Sequence, residues 1–176
     1  MKQYIKFTIK DSDNNKTTEF SYAPNSYGAI ELRKLTDKIN ILIIHFENLD
    51  LSAESSDDEA DEFLDDPISI MLANYPIKIN ELSDLEVDLK DGWTDDMLFT
   101  MVTFRDGESI NNNKISIKKD GNGAFDVIWT GSYSTWNTDR SDRFLELNLK
   151  AKPKTEVVTP LCENEEVILE TFDKKR

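Results

Sequence analysis

Cysteine and histidine are nearly absent from this chain of 176 residues, which has one of each, Cys162 and His45. A single cysteine excludes an intramolecular disulfide, and nothing in the sequence indicates an oxidising compartment. Zinc sites are built from clusters of cysteine and histidine, so the composition excludes them. A nucleophilic centre that depends on histidine would have to use His45, which lies beside Phe46 in an apolar run. We therefore interpret His45 as a partly buried structural residue.

Glycine and long apolar runs are also scarce. The six glycines form neither of the common phosphate-binding patterns, G-x-x-x-x-G-K-[ST] and G-x-G-x-x-G, so a nucleotide enzyme of the usual types is not expected. The longest apolar run, Ile41–Ile44, is far shorter than the about 20 residues of a membrane span. Residues 3–10 alternate polar and apolar side chains and lack the apolar stretch of a signal peptide. The sequence therefore predicts a cytoplasmic protein.

Basic residues are outnumbered by acidic ones, 21 to 35, which gives a formal net charge of −14. Residues 47–97 hold 17 of the acids and only two bases, Lys78 and Lys90. Such a charge density attracts cationic partners, and it argues against binding to nucleic acid or to an anionic membrane. Residues 52–66 contain eight acids and no base, so a mobile loop is predicted there. A solvated acidic face that serves only solubility is the alternative interpretation.

The first third of the chain predicts a hairpin and then a helix. Residues 3–10 and 17–22 alternate, with turn-forming residues between them, which is typical of a β-hairpin. Over 27–49, six apolar residues then recur at spacings of three and four, and this stripe predicts one long helix. The stripe consists of Leu32, Leu35, Ile39, Leu42, Phe46 and Leu49. Residues 39–46 are rich enough in β-branched side chains to leave a strand open as the alternative.

A short helix and a series of strands follow. Asp66-Pro67 resembles a helix cap followed by proline, and with the apolar spacing after it predicts a helix over 67–75. From residue 77 the apolar period changes to two. Strands are predicted over 77–79, 85–89, 97–104, 114–118, 124–130 and 144–151, with weaker signals over 155–158 and 166–172. Segregated helices and strands predict a single α+β domain over 1–176, with a mostly antiparallel sheet packed against one long helix and one short helix.

No metal or cofactor site is predicted. Residues 11–15 begin like a calcium-binding loop, but Lys16 replaces the glycine and Tyr22 replaces the bidentate glutamate that such a loop requires. The Asp120-Gly121-Asn122 sequence fails in the same way and is interpreted as a hairpin turn. Paired carboxylates could perform acid/base catalysis, but no pair is singled out among 35 acids.

The stretch from Trp129 to Arg143 interleaves aromatic and small polar residues, as recognition surfaces do. One interpretation is a loop that binds a protein or a sugar. The other places Trp129 and Tyr133 in the core, with Trp136 shielding an edge between two strands. Trp93, inside the acidic window, is open to the same two interpretations, core or exposed anchor.

Taken together, these patterns predict a non-enzymatic acidic binding protein whose partner is a basic protein. An inhibitor or immunity-type protein that covers the cationic cleft of a toxin nuclease is the concrete form. The acids would speed association with the partner, and the aromatic anchors would lengthen the lifetime of the complex. The predicted partner-binding residues are Asp57, Asp58, Glu59, Asp61, Glu62, Asp65, Asp66, Trp93 and Trp136. The alternative is a small-molecule or glycan-binding module that uses the aromatic loop 129–143, and the oligomeric state is left open.

Overall fold

The computed structural model describes residues 2–34, 40–46, 51–53, 68–73, 84–92, 99–102, 108–133 and 141–153. Across these ranges the protein is all-β, with twelve strands and no helix. The strands are β1 (Tyr4–Asp11), β2 (Thr17–Pro24), β3 (Gly28–Lys34), β4 (Asn40–Phe46), β5 (Leu51–Ala53), β6 (Ile68–Ala73), β7 (Leu85–Leu89), β8 (Phe99–Val102), β9 (Glu108–Ser109), β10 (Asn111–Lys119), β11 (Phe125–Tyr133) and β12 (Ser141–Pro153).

The predicted α+β class is wrong, and the largest error is the long helix over 27–49. Most of its residues form the antiparallel strands β3 and β4, which are joined by six residue pairs. The side chains of Leu42, Ile44 and Phe46 are buried on one face of β4, and Ile43 is buried on the other. Both faces of β4 are therefore covered, and a continuous β-branched run is typical of a strand buried in this way.

The predicted short helix over 67–75 is wrong for the same reason. Its described residues form β6, which pairs with β4 on one side and with β8 on the other. Ile68, Ile70 and Leu72 are buried with a period of two, and Ser69 on the opposite face is 9% exposed. The helical spacing of apolar residues is a coincidence in a strand where both faces are covered.

All twelve strands belong to one mixed sheet, which is strongly curled into a half-barrel. One path through the sheet runs β7–β10–β11–β12–β1–β2–β5, and every neighbouring pair on it is antiparallel. A second path leaves β12 through β3 and continues β4–β6–β8–β9. The β12–β3 pair is parallel, with 151–153 beside 28–30. The thirteen-residue β12 thus pairs with β11 along one edge, and with β1 and then β3 along the other.

The N-terminal hairpin is confirmed, and β1 and β2 pair from Ile5 opposite Tyr22 to Lys10 opposite Thr17. The backbone N–H of Asp11 donates to the carbonyl oxygen of Lys16 at 2.9 Å, and the Asp11 carboxylate accepts from the N–H of Asp13 at 2.8 Å. The residues that resemble the start of a calcium loop therefore build a turn.

The second predicted hairpin, β10–β11, is also confirmed. In its turn, Oδ1 of Asp120 accepts hydrogen bonds from the backbone N–H groups of Asn122 and Ala124, at 2.8 and 2.9 Å. Gly123 adopts a φ of 84°, a left-handed conformation that glycine adopts without strain. The other described strands that the sequence predicts are β7, β8 and β12, whereas the predicted strands 77–79, 155–158 and 166–172 lie outside the described residues.

The core lies on the concave face of the curled sheet and is shared by both strand paths. A row of side chains that are register partners crosses five strands at its centre. From β10 to β2 the row is Ile115, Trp129, Leu147, Ile5 and Tyr22. Phe7 packs beside this row, with its ring edge-on to Tyr22 and to Tyr133 at centroid distances of 6.2 and 6.3 Å. Burial of these aromatic and branched side chains is the main stabilising term of the fold.

A β-bulge in β10 places an asparagine in this core. The register between β10 and β11 shifts between Asn111 and Lys114. The side chain of Asn113 is fully buried, where its Oδ1 accepts from Nε1 of Trp129 at 2.7 Å and its Nδ2 donates to the carbonyl oxygen of Ile110 at 2.6 Å. These hydrogen bonds satisfy the polar groups of Asn113 and Trp129, which would otherwise be costly to bury.

The bulge also brings Ile110 against Gly131 on β11. A Cβ at Gly131 would lie 2.2 Å from Cγ2 of Ile110, which is too short for two non-bonded carbon atoms, so one of the two strands would have to shift. Ile110 is itself fully buried and cannot retreat into solvent. Gly131 is therefore required for the close approach of the two strands at the bulge.

Replacing Gly131 with alanine should lower the free energy of unfolding by about 1–3 kcal/mol, the usual cost of overpacking a core. Urea denaturation followed by tryptophan fluorescence measures it. Gly121→Ala is the matched control, because nothing lies within 4 Å of a Cβ at that exposed turn position, and its effect should be small. Equal stabilities of the two variants would contradict the packing at the bulge.

Candidate functional site

All nine predicted partner-binding residues lie outside the described residues. The seven acids fall within 54–67, Trp93 within 93–98 and Trp136 within 134–140. Of the predicted loop over 52–66, the first two residues belong to β5, which pairs with β2 at the end of one strand path. The acidic segment 54–67 connects this strand to β6 on the other path.

Charge is balanced within the described strands and turns. The described ranges contain 13 of the 35 acids and 13 of the 21 bases, so their formal charge is zero. The net charge of −14 is therefore contributed entirely by the remaining residues.

The aromatic stretch 129–143 divides between core and connection. The interpretation of Trp129 and Tyr133 as core residues is confirmed, because they are 0% and 4% exposed on β11. Residues 141–143 begin β12, so only 134–140 joins the two strands. Two of the three aromatic side chains of the proposed glycan-binding loop are therefore inaccessible to a ligand.

His45 is half-buried on β4, in agreement with the prediction for its burial. Its register partners are Ala29 on β3 and Ser69 on β6. Cys162 lies outside the described residues. In the described ranges, no group of three or more histidine, cysteine, aspartate or glutamate side chains is arranged to hold a metal ion.

The convex face of the sheet carries alternating charge. One row of register partners crosses six strands, from β7 to β2. It reads Asp88, Lys114, Thr130, Glu146, Lys6 and Ser21. Each pair of opposite charges in such cross-strand and diagonal positions stabilises a sheet by about 0.2–1 kcal/mol. Lys6 also forms an ion pair with Glu19, with Nζ 2.8 Å from Oε1.

Tyr4 and Glu146 are joined on this face by a hydrogen bond from the phenol to the carboxylate. This bond, with burial and the negative charge of Glu146, raises the pKa of Tyr4 to about 12. The phenol of Tyr4 therefore stays protonated and donates its hydrogen bond to Glu146 throughout the physiological pH range.

A cluster around Lys150 fixes the β10–β11 hairpin to β12. The Lys150 ammonium lies 2.9 Å from Oδ2 of Asp120 and 3.0 Å from Oδ1 of Asp126, and its backbone N–H donates to Gln3 at 2.7 Å. The hydrogen bond from Lys150 lowers the pKa of Asp120, assisted by the backbone N–H groups of the turn. The two carboxylates in turn raise the pKa of Lys150 above its ordinary value. The cluster therefore stabilises the turn as an ion-pair network.

The edge of the sheet at β7 has a surface that the sequence-based site prediction missed. A shallow depression of about 340 Å³ lies on β7, β10 and β11, lined among others by Glu86, Asp88, Lys114 and Ile128. Ile128 is 36% exposed there, surrounded by charged side chains. The sequence contains a signal for this surface, because residues 85–89 alternate polar and apolar side chains as a strand does and also lie within the acidic window 47–97.

Comparison with known protein families, with curated proteins and with solved structures finds no match to this chain. No helix in the described ranges has the length and apolar character needed to cross a membrane.

Replacing Lys150 with methionine should raise the pKa of Asp120, because the replacement removes the charged donor that contributes most to its depression. NMR titration of the side-chain carboxyl measures this change. Lys114→Met is the control, because it removes a lysine from the same face that has no contact with the Lys150 cluster, and it should leave the pKa of Asp120 unchanged.

The same cluster gives a pH dependence of stability. The folded-state pKa of Asp120 is depressed, so its contribution is present above the unfolded pKa of about 4 and is lost as the pH falls through the folded value. Unfolding free energies of the wild type should therefore decrease more steeply on acidification than those of Lys150→Met. Parallel curves would contradict the role of Lys150.

Proposed function

We propose that this chain is a non-enzymatic binding protein that presents a negative surface to a basic protein partner. The observation that carries the proposal is the concentration of charge along the sequence, since residues 47–97 hold 17 acids and two bases and the rest of the chain holds 18 acids and 19 bases. Acids needed for folding would be expected beside bases, as Glu86, Asp120 and Asp126 are. An unbalanced excess instead raises the self-repulsion of the folded chain and attracts cations.

The proposed recognition segment is 57–66, with acids at Asp57, Asp58, Glu59, Asp61, Glu62, Asp65 and Asp66. Its carboxylates would accelerate encounter with a cationic surface, whereas aromatic anchors at Trp93 and Trp136 would slow dissociation. A cytoplasmic inhibitor of the immunity type, which covers the cationic cleft of a nuclease, is the specific form that we propose. Covering such a cleft with carboxylates competes with the phosphates of the nucleic acid.

The glycan-binding alternative receives less support. Its aromatic loop would require exposed rings for stacking, and Trp129 and Tyr133 are buried. Trp136 alone remains for such a role, so we do not develop this alternative further.

Neutralising the seven acids of 57–66 with asparagine and glutamine should slow association with the basic partner at least about tenfold at low ionic strength. The probes are the purified products of the two open reading frames that flank the gene. Association rates measured at about 0.05 and 0.5 M salt should show a steep salt dependence in the wild type and a flatter one in the variant.

A matched pair of triple variants controls for net charge. Neutralising Asp57, Asp58 and Glu59 should reduce the association rate, whereas neutralising Asp13, Glu19 and Asp142, which lie outside the acidic window 47–97, should change it little. Failure of both flanking products to bind at low salt, or equal effects of the two triple variants, would refute the proposal.

A further inference from the structure

We propose that Asn122 is a site of spontaneous deamidation, at which the folded protein converts this asparagine to aspartate and isoaspartate. Asn122-Gly123 is the only Asn-Gly dipeptide in the sequence. Both residues are exposed in the turn of the β10–β11 hairpin. The inference is independent of the proposed function, because the reaction needs only water as a co-reactant.

The reaction joins two atoms of these neighbouring residues. The backbone nitrogen of Gly123 loses its proton and attacks Cγ of Asn122, and the bond from Cγ to the side-chain nitrogen breaks. The proton and the side-chain NH₂ group leave together as ammonia, and a succinimide ring remains. Water then opens this ring at either carbonyl group, which gives aspartate or isoaspartate.

The surroundings of Gly123 leave its nitrogen accessible. A Cβ placed on this residue would meet nothing within 4 Å, so the space around the turn is open. The Gly123 nitrogen lies 3.4 Å from the carbonyl oxygen of Asp120, beyond the usual range of about 2.7–3.2 Å for a hydrogen bond. Within the part of the chain that the structure describes, the side chain of Asn122 has no hydrogen-bond partner. Neither reacting group is therefore held firmly by other contacts.

Two Asp-Gly dipeptides of the described chain could form the same ring, but their contacts protect them. Gly92, which follows Asp91, is buried, and its N–H donates to Oδ1 of Asn111 at 2.8 Å. Asp120, which precedes Gly121, has a lowered pKa and accepts two backbone hydrogen bonds in the turn. An ionised carboxylate is a poorer electrophile than an amide, so the reaction is expected at the asparagine of this turn.

The other asparagines of the sequence are less suited to this reaction. Each of them is followed by a residue with a side chain, which hinders the approach of the backbone nitrogen to Cγ. The smallest of these following side chains is that of Ser26, after Asn25. Because Asn25 is also exposed, it serves as the internal comparison for Asn122.

The isoaspartate product would disturb the turn that the Lys150 cluster stabilises. Oδ1 of Asp120 accepts from the backbone N–H groups of Asn122 and Ala124, and the N–H of Asp120 donates to the carbonyl oxygen of Ala124 at 2.7 Å. These three bonds depend on the ordinary spacing of the backbone. Isoaspartate inserts a methylene group into the backbone between the bonded groups, so deamidation should loosen the turn.

The test incubates the full chain in a mildly alkaline buffer, which promotes loss of the proton from the attacking nitrogen. Peptide mass mapping should show the mass gain of deamidation at Asn122 before it appears at Asn25 or at any other asparagine. A protein-isoaspartate methyltransferase should then transfer methyl groups from a labelled donor to the incubated protein. Asn122→Gln is the control, because its longer side chain closes a ring more slowly, and it should lose most of the methyl incorporation.

A second measurement tests the link to the turn. In the incubated protein, the backbone amides of Asp120 and Ala124 should exchange with solvent at least about tenfold faster than in the fresh protein. Lys150→Met should accelerate deamidation, because it removes the ammonium group that holds the Asp120 carboxylate. Lys114→Met is the matched control and should leave the rate unchanged.

Two results would overturn the assignment of the site. One is modification of Asn25 or another asparagine before Asn122. The other is the absence of a mass gain at Asn122 during a time in which the chain unfolded in urea is fully converted. Unchanged amide exchange at Ala124 after conversion would refute the loosening of the turn, and equal deamidation rates in the two lysine variants would refute the part played by Lys150.

Discussion

The fold depends on hydrogen bonding along both edges of β12. This strand holds β11 on one side and β1 on the other, and its last residues also pair with β3, where the second strand path begins. The row through Leu147 joins Trp129 and Ile5 across the same strand. Loss of β12 would therefore separate the N-terminal hairpin, the β10–β11 hairpin and the β3 path from one another. A strand from the end of the described chain closes a sheet that begins near residue 4, so most stabilising contacts join residues distant in sequence.

Charge is arranged around this sheet rather than within its core. On the convex face, acids and bases alternate between neighbouring strands, and the Lys150 cluster fixes a turn by the same means. The excess negative charge is concentrated in residues 47–97, which hold 17 acids and two bases. The proposed function follows from this concentration, because an excess of carboxylates attracts a cationic partner.

The sequence predicted the strands that have one covered face and one solvated face. In β1, β2, β10 and β11 the polar and apolar residues alternate clearly, and turn residues such as those of 119–123 mark the connections. Prediction failed for β4 and β6, where both faces are covered and the alternation disappears. In β4, the run Ile41–Ile44 is continuous, and apolar residues on either side of it matched a helical spacing by chance.

The candidate site could be predicted only in part for a different physical reason. An excess of acids is visible in composition, but whether each acid has a basic neighbour depends on strand register, which pairs Asp88 with Lys114 and Glu86 with Ser116. The same limit applies to the core: three consecutive asparagines, 111–113, look equivalent in the sequence, and only the bulge selects Asn113 for burial beside Trp129. The position of β7 at an edge is likewise a property of topology.

The central claim is that the acids of 57–66 serve recognition and not folding. The free energy of unfolding of the variant with all seven acids neutralised, measured by urea denaturation at low salt beside the wild type, tests this claim most directly. If the acids are reserved for a partner, the variant should be as stable as the wild type or more stable, because self-repulsion is relieved. A loss of more than about 1 kcal/mol, the scale of an ordinary destabilising substitution, would show that these carboxylates have partners within the fold and would contradict the account.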